Sequence, residues 1–241
     1  MPTPRARSAL SYQEEMNQSV IDSLDVQNVT WFDRTDHELE AFLLLTIVVA
    51  GKNAKVQQEK LKAFLRPALG CCHLWGGPYG PFDFIRSLID REAESVNTDR
   101  LLVRMVAHRL GQYRRLVRCF SEIVDLDTRH GLRRCGVHDL EEIHGIGPKT
   151  ARYFLLHSLP DQQLAVLDTH ILAWMKKVKK CKNVPKVTPG NRTKYRMWEL
   201  RFLYFCGRLN KTPAELDLEI WNQRSKNGNA YQDTKAKIQT A

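Results

Sequence analysis

Apolar residues recur along this chain at the three-and-four spacing of a helix face, and nowhere do apolar and polar positions alternate long enough to read as a strand. The first strong segment is DHELEAFLLLTIVVAG, 36–51, with Asp36 as its N-cap candidate and Gly51 as its stop. Its continuous apolar run reads as a buried helix. KNAKVQQEKLKAFLRPALG follows, with Val56, Leu61, Phe64 and Leu65 as its apolar positions. WGGPYGPFDFI, 75–85, is a Gly/Pro-rich turn, and Pro81 opens a helix expected through FDFIRSLIDREAESV. DRLLVRMVAHRLGQYRRLVRCFSEIVDL holds two helices broken near Gly111. GVHDLEEIHGIGPKTARYFLLHSL reads as helix, tight turn, helix, with Leu140 and Ile143 facing the core. LAVLDTHILAWMKKVKK is an apolar turn running into a helix. TKYRMWELRFLYFCGRLN is a further helix, with apolar spacing at Met197, Leu200, Leu203 and Phe205, and TPAELDLEIWNQR starts at a Thr212-Pro213 cap signal. One helix is expected within SYQEEMNQSVIDSLDVQNV, a flexible tail before it and a disordered polar tail over 223–241. The pattern predicts an all-α architecture of about nine to eleven helices.

Charge narrows the partner. The chain has 37 Lys and Arg against 27 Asp and Glu, a net charge of +10, which favours a polyanion and above all nucleic acid. The longest apolar run, AFLLLTIVVAG, is far short of the about 18–20 residues that cross a bilayer, and it lies too far along the chain for a secretory signal. Cys71, Cys72, Cys119, Cys135, Cys181 and Cys206 form neither a CxxC pair nor a disulfide framework. The expectation is a reducing, intracellular location: cytoplasm, nucleoid or nucleus. At 241 residues, one large domain and two compact lobes both fit.

The chemistry concentrates in EEIHGIGPKTARYFLLHSLPDQQLAVLDTH, 141–170. Gly145-Ile146-Gly147 makes a tight turn in which glycine permits positive φ and close backbone approach. Pro148 then starts a helix whose first amides and positive dipole end suit one phosphate of a nucleic acid backbone. Such a grip carries no sequence information. Lys149 follows the turn, and Asp168 lies nineteen residues on, in AVLDTH.

LEEIHGIGPKTARYFLLHS followed by LAVLDTHIL resembles the helix-hairpin-helix plus Gly/Pro-Asp signature of the endonuclease III superfamily of DNA glycosylases. The likeness covers about residues 100–175; LAVLDTHIL, and more weakly TPAELDLEIWN, is most similar to the type 2 branch of 8-oxoguanine DNA glycosylases. The resemblance implies a two-lobed helical fold. One lobe would span 36–150 and end in the hairpin, and the other would combine 1–35 with 151–222. It implies a monomeric, bifunctional glycosylase/AP lyase acting on double-stranded DNA. Lys149 would be the nucleophile and Asp168 the carboxylate that stabilises charge on the sugar. Asp168 also reads as the N-cap of THILAWMKK. A free lysine is almost wholly protonated at neutral pH, so Lys149 is expected to be activated by burial and neighbouring positive charge.

The same resemblance implies that Gly145, Ile146, Gly147 and His170 meet DNA phosphate, and that the carbonyls of Glu141, Ile143 and Ile146 hold a monovalent cation. Lys52 or Asn53, in AGKNAK, is the candidate to fill the gap left by a flipped base. Trp75, Tyr79, Phe82, Trp198 and Trp221 are aromatics that either stack on that base or pack in the core. The six lysines of MKKVKKCKNVPK either form a solvated face or follow the DNA backbone. Many superfamily members carry a four-cysteine iron–sulfur cluster after the aspartate. Only Cys181 and Cys206 follow Asp168, so no cluster is expected, nor any required cofactor. 8-Oxoguanine is the preferred target base and an oxidised or modified pyrimidine the second choice. A non-catalytic helix-hairpin-helix DNA-binding protein is the rival from another class.

Overall fold

The computed structural model describes residues 19–70, 80–92 and 95–223. Trp75, Tyr79, Cys71, Cys72, the N-terminal tail and the tail from 224 onward lie outside the described residues. The chain divides into two compact units, with the boundary between Ile146 and Gly147.

The first unit contains α1 (Asp36–Val48), α2 (Ala54–Gly70), α3 (Pro81–Ser87), β1 (Asp90–Glu92), β2 (Ser95–Asn97), α4 (Asp99–Ala107), α5 (Tyr113–His130), a 3-10 turn (Leu132–Arg134) and α6 (Val137–Glu141). Helix α1 is its centre. Every residue from Glu38 to Val48 is buried, because α2, α3, α5 and the 3-10 turn all pack around it. An all-round apolar sequence demands such surroundings. Thr35, rather than Asp36, is its N-cap. The Thr35 hydroxyl accepts from the Glu38 N–H, and the Glu38 carboxylate accepts from the Thr35 N–H at 2.8 Å, a reciprocal capping box. Asp36 pairs instead with Arg133 at 2.8 Å. Gly80 caps α3 at close quarters: a Cβ there would lie 2.5 Å from the His37 ring and 2.6 Å from the Glu40 carboxylate, and those side chains would have to shift. That carboxylate accepts the Phe82 N–H at 3.0 Å.

Three expectations are corrected here. The helix from Pro81 ends at Ser87, and β1 and β2 pair antiparallel in the register Asp90↔Asn97, Arg91↔Val96 and Glu92↔Ser95. Strands of three residues are too short to leave an alternating pattern in the sequence. Val56 is 49% exposed, whereas Leu61, Phe64 and Leu65 are buried. Residues 19–35, expected with the second lobe, belong to the first unit. Ser19 donates to the Glu38 carboxylate at 2.7 Å, and the Val26 N–H donates to the Gln58 side chain at 2.9 Å.

The second unit contains α7 (Pro148–Ser158), α8 (Thr169–Lys177), α9 (Arg192–Leu209) and a last helix, α10, over 213–223. Its core joins Ile171, Leu172, Trp174 and Met175 of α8 to Tyr195, Trp198, Phe202 and Cys206 of α9, with Leu216 and Ile220 from α10. The buried face of α9 is therefore not the expected one, since Met197 and Leu200 are 55% and 51% exposed. Both stripes have helical spacing, and periodicity alone cannot choose between them. The Thr212 signal holds: its hydroxyl accepts the Glu215 N–H, and its N–H donates back to the Glu215 carboxylate at 2.8 Å. Among the described residues no helix is long and apolar enough to cross a membrane.

Candidate active site

The two glycines of the turn have different reasons to be there. Gly145 has φ +88, in the left-handed region that favours glycine, and a Cβ would lie 2.9 Å from Cγ of Arg115. The Arg115 guanidinium donates to the Gly145 carbonyl and to the Ile47 carbonyl, each at 2.9 Å. It thereby ties the turn to the last turn of α1. Gly147 has φ −95, and nothing lies within 4 Å of where its Cβ would be. It is the N-cap of α7 and brings no side chain to the first-turn amides. The open space and the uncapped helix start leave room for an anion at close range. Glu122 braces the turn from beneath, accepting the His144 N–H at 2.6 Å. Desolvation works against the Glu122 charge, but the His144 N–H and the Arg118 guanidinium outweigh it and hold the carboxyl below its ordinary range.

In the second unit, Lys149 and Asp168 come together. The Lys149 Nζ lies 3.9 Å from Oδ2 of Asp168. The other carboxylate oxygen, Oδ1, accepts the N–H groups of His170 at 2.8 Å and Ile171 at 2.9 Å. One oxygen of Asp168 thus caps α8, and the other faces the amine. The Lys149 side chain is 47% exposed and that of Asp168 17% exposed, which removes the protein burial invoked for activating the lysine.

A buried network that the sequence reading missed surrounds the pair. Arg152, three residues after Lys149, donates through Nε to Oε1 of Glu199 at 2.8 Å and through Nη1 to the Pro148 carbonyl at 3.1 Å. Glu199 Oε1 also accepts the Ala165 N–H at 3.1 Å, and its Oε2 accepts from Arg196 at 2.8 Å. The Tyr195 hydroxyl donates to the Ala165 carbonyl at 2.9 Å and accepts the Leu167 N–H at 3.0 Å. Burial pushes the Tyr195 hydroxyl up from its ordinary range, so it remains a donor. His157 and Asp217, both buried, meet at 3.3 Å. Burial pushes Asp217 up, opposed by the bond to His157, while the charges of Asp168 and Lys149 act on it with opposite signs. The one sequence signal for Arg152, Glu199 and Asp217 is a charge at an apolar helix position, which means little until the partner is known.

The other candidates divide. Asn53 accepts the Val56 N–H at 3.1 Å and so caps α2, while Lys52 donates to the Leu110 carbonyl at 2.7 Å. Burial first, then the charges of Arg115 and Lys60, lowers Lys52 from its ordinary value. His170 contributes its backbone N–H to the α8 cap and is half-buried. The Ile143 carbonyl accepts the Ile146 N–H at 3.1 Å. Phe82 and Trp198 are core residues, whereas Trp221 is 44% exposed. In the lysine-rich segment, Lys176, Lys177, Lys180, Lys182 and Lys186 are exposed. Lys179 sits over the Trp174 and Phe205 rings, at 5.2 and 5.5 Å from their centroids. Among the described residues no group of three or more His, Cys, Asp or Glu is arranged to hold a metal ion.

No family model matches the chain, and no curated protein matches it in sequence. Two solved structures share its fold. One is the Methanocaldococcus jannaschii 8-oxoguanine glycosylase/lyase in complex with a 15mer DNA containing 8-oxoguanine. It has a TM-score of 0.52 and 18% identity, over 88% of this chain and 91% of that one. The other is the 8-oxoguanine DNA glycosylase of the same organism, with a TM-score of 0.51 and 21% identity, over 90% of this chain and 94% of that one. The chain has the helical fold of these glycosylases, in line with the fold its hairpin signature implied.

Proposed function

We propose that this protein is a bifunctional DNA glycosylase/AP lyase that excises 8-oxoguanine from double-stranded DNA. The observation that carries the reading is the Lys149 amine 3.9 Å from the uncommitted oxygen of Asp168, in a chain with the fold of 8-oxoguanine glycosylases. A protein that only grips phosphate needs neither residue.

The target nucleotide leaves the stack, since its C1′ is out of reach within the duplex. The neutral Lys149 amine attacks C1′. The bond from C1′ to the base breaks, its electron pair goes to the base, and the base leaves after taking up a proton. Positive charge developing on the sugar faces the Asp168 carboxylate, which stabilises it. Proton loss from nitrogen and ring opening give a Schiff base between Lys149 and C1′. Loss of a C2′ proton then expels the 3′ phosphate by β-elimination, which cuts the strand. Asp168 is positioned to receive and return these protons, and approaching DNA supplies the desolvation that the protein alone does not give Lys149.

The amides at the start of α7, with Gly145, Ile146 and Gly147, are assigned to one backbone phosphate, and His170 to a second. The carbonyls of Glu141, Ile143 and Ile146 are the donors for a monovalent cation; Ile143 keeps a lone pair beyond its bond to the Ile146 N–H. Lys52 or Asn53 is assigned to the gap left by the extruded base. The protein acts as a monomer and needs no iron–sulfur cluster.

Borohydride trapping on duplexes carrying 8-oxoguanine, oxidised pyrimidines or an abasic site tests the reading. A covalent adduct on 8-oxoguanine that disappears in Lys149→Gln is the expected result. An adduct on a pyrimidine lesion alone transfers the activity to that substrate. The absence of any adduct, abasic site included, overturns the enzyme.

A further inference from the structure

The nucleophile and the carboxylate stand on separate segments. Lys149 is in the first turn of α7, and Asp168 ends an extended stretch, 162–168, that no helix or strand holds. Neither side chain fixes the other, because 3.9 Å is beyond a hydrogen bond. What joins the segments is α9. A single atom, Oε1 of Glu199, accepts both from Arg152, on the helix of Lys149, and from the Ala165 N–H, three residues before Asp168. One turn earlier on α9, the Tyr195 hydroxyl holds Ala165 and Leu167 together at their carbonyl and N–H. The Arg152 guanidinium lies over the Tyr195 ring, 4.3 Å from its centroid, so the two clasps lock each other. Thr188 closes the far side by donating to the Leu167 carbonyl at 2.7 Å. Tyr195 and Glu199 are fully buried, so neither can touch DNA directly.

We propose that Tyr195 and Glu199 are positioning residues that set the Lys149–Asp168 geometry for the reaction, with Arg152 as the link to the nucleophile's helix. The proposal rests on the glycosylase/lyase reading. Its signature is a loss of chemistry without a loss of DNA binding, transmitted through Asp168.

Tyr195→Phe keeps the ring that fills the core and the stack beneath Arg152, and removes only the hydroxyl. Glu199→Gln keeps an acceptor oxygen and removes the charge. Both are chosen over alanine so that the unit stays folded. The measurement is the single-turnover rate of borohydride-trapped adduct on 8-oxoguanine duplex, beside the dissociation constant for the same duplex. Tyr195→Phe is expected to slow trapping by roughly tenfold or more, since displacements on the order of 1 Å at a reacting pair cost that much, with binding unchanged. In an Asp168→Asn background the same substitution is expected to add little, because its effect runs through the carboxylate. Glu199→Gln is expected to fall between wild type and Tyr195→Phe. Wild-type trapping with unchanged rates in both variants overturns the proposal alone. So does an effect of Tyr195→Phe that is undiminished in the Asp168→Asn background. No trapping in wild type overturns the function and this proposal together.

Discussion

Replacing each glycine of the hairpin turn by alanine separates structure from binding. In Gly145→Ala the new residue is forced to φ +88, a left-handed conformation that costs an L residue about 1–2 kcal/mol. Its Cβ would also meet Arg115 Cγ at 2.9 Å, closer than real contacts allow. Arg115 cannot simply swing away, because its two ends are engaged with the carbonyls of Gly145 and Ile47. Hydrogen bonds to a charged group are worth about 1.5–3 kcal/mol each, and weakening the two in part brings the total to about 2–4 kcal/mol. At about 2–4 °C per kcal/mol for a chain of this size, the melting temperature falls by roughly 5–15 °C. Gly147→Ala has an ordinary φ and open space, and loses only the modest N-cap advantage of glycine, about 0.5 kcal/mol or some 2 °C. Its expected cost is at the proposed phosphate site, where the added methyl should hold the backbone back from the anion and weaken DNA binding by roughly tenfold, about 1.4 kcal/mol. Thermal melts followed by dye fluorescence and DNA binding by fluorescence anisotropy at fixed salt read the two effects. Equal melting temperatures for the two variants would refute the argument from φ and contact. Wild-type DNA affinity in Gly147→Ala would refute the phosphate assignment.

Two further substitutions test the site by different routes. Asp168→Asn keeps an oxygen for the His170 and Ile171 amides, so stability should stay within about 0.5 kcal/mol. Single-turnover base excision should nonetheless fall by about 100–1,000-fold through loss of the charge, and a near-wild-type rate would remove Asp168 from the chemistry. Glu122→Gln should flatten the acid limb of stability. The folded-state carboxyl sits below its ordinary value of 4.5, so the unfolded chain binds the extra proton. The stabilisation is therefore complete above that value and lost as pH falls through the folded one. With the Glu122 side chain 33% exposed, screening limits it to less than about 1 kcal/mol. Melting temperatures of both forms from pH 7 to 3 should converge at the acid end, and a gap that widens there would contradict the assignment.

What the chain determines by itself is short-range. Gly145, Gly147 and Pro148 lie within one turn, so their conformational needs mark a hairpin and a helix start without reference to any other segment. The apolar run of α1 announces burial on all sides, and Thr212 announces its own helix. Lys149 and Asp168 were legible as a pair only through the resemblance of their motif, and the structure then brought them to 3.9 Å. Tertiary structure alone decided the rest. Two apolar stripes on α9 compete on equal terms in the sequence. The larger rings of Tyr195, Trp198 and Phe202 went inward because they bury more apolar surface, and Met197 and Leu200 stayed out. Arg115, Arg152, Tyr195 and Glu199 look like ordinary helix residues in one dimension. The partners that tie them to other segments lie between 28 and 68 residues away, and a buried charge or hydroxyl acquires meaning only when packing supplies the acceptor that makes its burial tolerable.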